Sequence, residues 1–237
     1  MQFPAAGKGT KGLCIALVAI TLLLKLSQNS VGVGPIDLVF SVDRVLHGQV
    51  WRLLSYALIE VDAWSLILSA LFLYLFGAFF EARWGTRDYL RFFAASAVGA
   101  ALFAIPLSYV FNVILPFDDQ LARPFELGGF STGPSPSLDA MLVALALMAP
   151  DSKVMFGFIL PIKARTLIYV FIGLQLIFGI MNGTAELSMT VGGMLMGYIL
   201  VSGIWRPQMF AARWHTWTRR RRRRGLHVVK PPDHTLH

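Results

Sequence analysis

The stretch "TVGGMLMG", Thr190 to Gly197, lies inside Leu187 to Trp205, nineteen positions without a charged residue. Gly193 and Gly197 are four apart, so on a helix they share one face. With no side chains there, a neighbouring backbone can approach closely. Thr190, three residues before Gly193, puts a hydroxyl on the same side. A closely packed apolar helix is the reading, and the rest of the chain repeats its composition.

Ala63 to Phe80, Phe92 to Phe117 and Thr166 to Ala185 also lack charge. Runs of this length predict membrane helices. Two shorter candidates are Gly12 to Leu24, which Lys25 extends by snorkelling, and Ala140 to Pro150, which suits a helix packed among other helices. The chain has 237 residues, 56% hydrophobic and 14% charged. Its mean hydropathy of +0.62 is too high for a soluble globule. The expectation is an all-α membrane protein with six spans and a long outside loop between the first two. Pro106 and Pro116 fall in or at the end of the third span, where Asn112 is expected to bond a neighbouring helix. Cys14 is the only cysteine, which excludes an internal disulfide. The first apolar run ends in Lys25, Leu26 and Ser27, without a cleavage pattern, and reads as a retained span.

Loop charge sets the orientation. The N-terminus with Lys8 and Lys11, the Glu81–Arg91 turn, the Asp151–Arg165 turn and the C-terminal tail are each net basic. Residues 30–62 carry Asp37, Asp43, Glu60 and Asp62 against Arg44 and Arg52. Residues 118–135 carry Asp118, Asp119 and Glu126 against Arg123. The basic set is expected inside, which puts both termini in the cytoplasm (bacterial inner membrane) or the matrix (mitochondrial inner membrane). Residues 1–206 read as one membrane domain and residues 207–237 as a basic tail. Within the first outside loop, Leu46–Leu58 suits short helices at the interface. The second, rich in Gly, Pro and Ser, suits irregular chain.

The net charge of +8 comes mostly from the tail, where Arg219, Arg220, Arg221, Arg222, Arg223 and Arg224 are contiguous. Trp205, Trp214 and Trp217 precede them. The pattern reads as a topology anchor with an aromatic belt, in contact with anionic lipid at roughly 1 kcal/mol per basic residue. Docking of a partner protein is the other reading. No motif supports nucleic-acid binding.

Four stretches together resemble the rhomboid family of intramembrane serine proteases. "GQVWRLLSYAL" carries Gly48, Gln49, Trp51 and Arg52 like the family's first outside loop. "YLFGAFFEARWG" carries Gly77, Glu81 and Gly85 like the end of its second span. "GPS", Gly133 to Ser135, is similar to the Gly-x-Ser that opens the short fourth span. Gly193 and Gly197 stand like the Gly-x-x-x-Gly of the sixth. The resemblance covers residues 12–205 and implies a six-span bundle.

It also implies a nucleophile at Ser135, a base at Thr190, and oxyanion donors at Ser65 and Ser69, where the family has histidine and asparagine. Only the serine nucleophile survives, so the resemblance is to a catalytically degenerate member of the rhomboid-like, derlin-type superfamily. Chemistry agrees. A serine needs an adjacent base to attack near neutral pH. His47 lies in an outside loop, and His215, His227, His234 and His237 lie in the tail. Neither histidine nor lysine lies mid-span. Trp51 and Arg52 are expected to pin the outside loop, Gly77, Gly193 and Gly197 to pack helices, and Glu81 with Arg83 to order the inside turn.

Two acids stand out. Asp139 lies one turn after Ser135, and Glu186 one turn before Thr190. An acid within a span is a functional hypothesis by default. Asp139 either bonds Thr190 or Ser135, locking the fourth and sixth helices together, or joins Glu186 and the serines in a proton or cation site, or faces water. No metal or cofactor is expected. The functional expectation is a non-proteolytic protein that binds or scaffolds other membrane proteins, as derlins and inactive rhomboids do. The alternatives are an accessory structural subunit of a large membrane complex and residual proteolysis at Ser135.

Overall fold

The computed structural model describes residues 6–28, 34, 37–114, 130–148, 153–156, 160–182 and 184–202. The elements lie in the compact unit Met1–Val201, to whose end the last helix adds one residue. Pro116, Asp118, Asp119, Arg123, Glu126, the four tail histidines, Trp205, Trp214, Trp217 and the arginine run lie outside the described residues, as does the Asn112 side chain.

Eight helices are described: α1 Lys8–Ser27, α2 Val42–Leu46, α3 Arg52–Ser55, α4 Ala63–Trp84, α5 Thr86–Ile114, α6 Ser135–Met148, α7 Ala164–Asn182 and α8 Thr184–Ser202. A 3-10 turn, Tyr56–Leu58, follows α3. Among the described residues, four helices are long and apolar enough to cross a membrane: α1, α4, α5 over Thr86–Val110, and α8 over Ala185–Ser202. The two others with apolar character are shorter, Ser135–Met148 and Tyr169–Phe178. At 1.5 Å per residue, the fourteen residues of α6 reach about 21 Å, less than the ~30 Å hydrocarbon layer.

Two boundaries differ from expectation. The third apolar helix starts at Thr86 rather than Phe92, because Gly85 (φ 82°) ends α4 and Thr86 begins a new helix at once. Arg87, Asp88 and Arg91 then extend it beyond the apolar run. Pro106 lies inside α5 without ending it. The all-α expectation is corrected after α6, where Lys153–Phe156 (β1) pairs antiparallel with Leu160–Lys163 (β2), Lys153 opposite Lys163. Pro161 is tolerated because each strand of a two-stranded ribbon has a free edge.

The first outside loop folds down onto the bundle. Tyr56 is fully buried and its hydroxyl donates to the Ala97 carbonyl of α5 at 2.9 Å. Arg52 is also buried. Its guanidinium donates to the Val39 carbonyl at 2.6 Å and to Gln49 Oε1 at 2.5 Å. Trp51 is 55% exposed, so the anchoring contacts come from Arg52 and Tyr56. A line of alanines on α5, Ala97, Ala100, Ala101 and Ala104, is fully buried and admits its neighbours closely.

The glycine face of α8 lies against α6. A Cβ at Gly193 would collide with the carbonyl oxygen of Pro136 and lie 2.8 Å from its Cα. One at Gly197 would lie 2.5 Å from the Ala140 oxygen and 2.7 Å from its Cα. Gly192 faces Ala100 of α5 in the same way, at 2.7 Å from its oxygen. Gly192, Gly193 and Gly197 thus seat α8 against both α5 and α6. Large apolar side chains on the outer faces, such as Leu23, Trp64, Ile67, Tyr109, Tyr169 and Ile177, are exposed. Contiguous apolar surface of this kind suits contact with lipid.

Candidate functional site

The site forms where the segment before α6 is clamped into the first outside loop. Phe40 and Ser131 form an isolated antiparallel bridge, exchanging two backbone bonds of 3.1 Å. Two residues on, the Gly133 N–H donates to both the Tyr56 carbonyl (3.0 Å) and the Ile59 carbonyl (2.8 Å). Gly133 has φ 82°, a left-handed conformation that glycine adopts without strain. The segment cannot carry a side chain there for a second reason. A Cβ on Gly133 would overlap the carboxyl group of Glu60.

Two buried acids, Glu60 and Asp139, and the half-buried Glu186 converge on this end of the bundle. Glu60, just before α4, accepts from the Ser69 hydroxyl at 2.5 Å, and its backbone N–H donates to Thr21 Oγ1 of α1 at 3.1 Å. Glu186, in the first turn of α8, accepts from the Ser131 hydroxyl at 2.9 Å. Asp139 of α6 accepts from the Gln175 amide of α7 at 2.9 Å through Oδ1, while Oδ2 has no partner among the described residues. Glu60 is 4% exposed and Asp139 1%. Glu186 is close enough to act electrostatically on both. Their hydrogen-bond partners are hydroxyls and an amide. Among the described residues, no three acids, histidines or cysteines stand close enough to hold a metal ion.

Burial pushes the Glu60 carboxyl up to about 7, and the charges of Asp62 and Glu186 push the same way. The hydroxyls of Ser69 and Thr132 partly offset them. Asp62, which caps α4 by accepting the Ser65 N–H at 2.9 Å, is held below its usual range by that residue's hydroxyl and N–H. Burial, with Glu186 and Asp139 behind it, keeps the Tyr56 hydroxyl from ionising.

The residues that the resemblance had aligned lie on α4, α6 and α8. Ser135 is the first residue of α6 and half-buried, and its hydroxyl makes no hydrogen bond among the described residues. Thr190 is buried in α8. Ser65 sits in the first turn of α4, and Ser69, one turn on, is bonded to Glu60. The expected bond from Asp139 to Thr190 or Ser135 is absent. Gln175 takes that carboxyl instead, because its longer side chain crosses from α7. Glu60 and Gln175 are the two residues that sequence reasoning missed. Glu60 had counted only as loop charge. Gln175 interrupts a charge-free apolar run, and that interruption was the available signal.

At the opposite end, Glu81 of α4 accepts the Gly9 and Thr10 N–H groups of α1, both at 2.8 Å, and the Thr86 hydroxyl at 2.5 Å. A Cβ on Gly77 would lie 2.5 Å from the Tyr89 hydroxyl and 2.9 Å from Thr10 Cγ2. Arg83 points to solvent.

Residues 11–202 match a family described as eukaryotic integral membrane proteins, DUF1751, and the chain belongs to that family. No curated protein matches the sequence.

Proposed function

We propose that this chain is a rhomboid-like membrane protein without protease activity that binds or scaffolds other membrane proteins. The observation that carries the reading is that Ser69, at the place of an oxyanion donor, is bonded to an acid. Ser69 gives its hydrogen to Glu60, so it has none to offer a tetrahedral intermediate. An ionised carboxylate there would repel the very charge that acyl transfer must stabilise. Thr190 cannot take a proton from Ser135 near neutral pH, and loss of a triad member alone costs many orders of magnitude in rate. On this reading α6 and α7 complete six spans, α6 being shielded by α5 and α8. The basic loops and both termini face inward, to cytoplasm or matrix.

A client span is accommodated, in this proposal, along the seam between α4 and α7. There Phe72 and Phe171 meet edge-on with ring centres 5.8 Å apart. A ring contact separates more readily than the glycine-mediated backbone contact of α6 with α8. Ser135→Ala should leave partner abundance in a gently solubilised preparation unchanged, as measured by quantitative mass spectrometry. Labelling of wild type but not Ser135→Ala by a fluorophosphonate would show an active serine and end the proposal. Partners at one fixed stoichiometry would favour a structural subunit over a client-binding protein.

Orientation has its own test. In a Cys14→Ser background, a cysteine placed at Gly225 should react with a membrane-impermeant maleimide only after the inner side is exposed. Reaction in sealed, right-side-out vesicles would reverse the assignment.

A further inference from the structure

We propose that Glu60 is a proton-operated latch: protonated, it holds the Gly133 turn and the start of α6 against α1 and α4, and ionised, it releases that turn. The geometry is specific. Glu60 touches three parts of the chain at once. Its N–H is on Thr21 of α1, its carboxyl accepts from Ser69 of α4, and the same carboxyl fills the space a side chain at Gly133 would need. Gly133 is itself tied by its N–H to the two carbonyls that bracket the 3-10 turn before Glu60. The segment it anchors runs directly into Ser135 and α6.

Among the described residues, the charges that act on Glu60 are acids. Glu186 comes from α8, Asp139 from α6 behind it, and Asp62 from the same loop. Lys25 at the end of α1 acts on Asp62. Ser69 and Thr132 contribute hydroxyls, Gln175 a neutral amide, and Tyr56 a phenol that stays protonated. A second, independent sign that this pocket is arranged for a proton is Asp139. It is 1% exposed, with one carboxyl oxygen that has no partner among the described residues. A full negative charge left in that condition is costly, whereas a carboxylic acid is tolerated. Ionising Glu60 as well adds a buried charge facing others of its own sign.

The sign of the pH effect follows. Burial raises the Glu60 carboxyl from its usual 4.5 to about 7, so the closed arrangement binds the proton more tightly than an open one. Closure is fully favoured below about 4.5 and weakens as pH rises through about 7. The latch therefore operates near neutrality, on the face opposite the basic loops. It does not depend on whether the chain binds clients.

The test uses the full chain in lipid nanodiscs, with Cys14→Ser and a reporter Ser135→Cys at the start of α6. Maleimide labelling is compared with and without Glu60→Gln, so that the reporter's own pH dependence cancels in the ratio. At about pH 6 the two should label equally, and at about pH 8 the chain with Glu60 should label several-fold faster. In parallel, the infrared carbonyl band of a protonated carboxyl should fade as pH rises through about 7, and that component should be missing in Glu60→Gln. Should Glu60→Gln fail to fold, Ser69→Ala serves instead. Its lost hydroxyl favoured the ionised form, so the infrared transition should move to higher pH. A labelling ratio that stays constant with pH overturns the latch. So does an infrared transition that Ser69→Ala leaves unmoved.

Discussion

Gly193→Leu is expected to destabilise the protein by about 3 kcal/mol, the upper end of ordinary overpacking. The reason is that the first atom of the new side chain already collides with backbone. The Pro136 oxygen and Cα stand where the Cβ must go, and a backbone cannot rotate aside as a side chain can. Relief requires α8 to move away from α6. That movement also breaks the fit of Gly197 on Ala140 and of Gly192 on Ala100. Thr190→Val, on the same helix, removes only a hydroxyl. Even a hydroxyl that bonds another helix in a membrane contributes about 0.6 kcal/mol on average and seldom more than about 1.7. Thermal unfolding of the purified proteins in one detergent should therefore rank wild type, then Thr190→Val, then Gly193→Leu well below. If Thr190→Val proved the worse, its hydroxyl would have a role that packing does not explain.

The glycine face was legible because its signal is local: two small residues four apart define a face whatever lies opposite. The short fourth helix was legible too, although its start at Ser135 depends on the Gly133 turn. What spacing could not reveal was how the polar residues pair. Asp139, Ser135 and Thr190 lie in register along α6 and α8, which made a bond between them plausible. The actual partner, Gln175, comes from α7, and nothing in the local spacing of α6 names a residue 36 positions away. Glu60 was hidden for a different reason. Its burial comes from a segment some seventy residues later folding back over it, through the Phe40–Ser131 bridge and Gly133. A carboxylate in a polar loop and one buried beneath that loop look the same in one dimension. The β1–β2 hairpin was missed because a short turn between two helices has few residues in which to show alternation.

Glu81→Ala should cost about as much as Gly193→Leu, by another route. The N-terminal turn of α1 has no side-chain cap of its own, since Gly7 stands at the N-cap. Glu81 supplies that cap from α4. One carboxyl oxygen accepts the Gly9 N–H, the other the Thr10 N–H, and the Thr86 hydroxyl completes the set. The carboxylate also sits at the positive end of the α1 dipole, where negative charge is favoured. Hydrogen bonds to a charged group contribute roughly 1.5–3 kcal/mol each, and bonds that share one acceptor do not add in full. Alanine would leave buried N–H groups of α1 without acceptors and open a gap between α1 and α4. The expected loss is about 3 kcal/mol or more, read as a fall in the unfolding midpoint. Proteolysis should then begin near residues 7–12, where α1 frays first. Glu81→Gln should be intermediate, because an amide oxygen can still accept one N–H while its own NH2 confronts the other donor. Equal midpoints for wild type and Glu81→Ala would mean that α1 is held by its apolar face alone, and that the cap contributes nothing to holding it against α4.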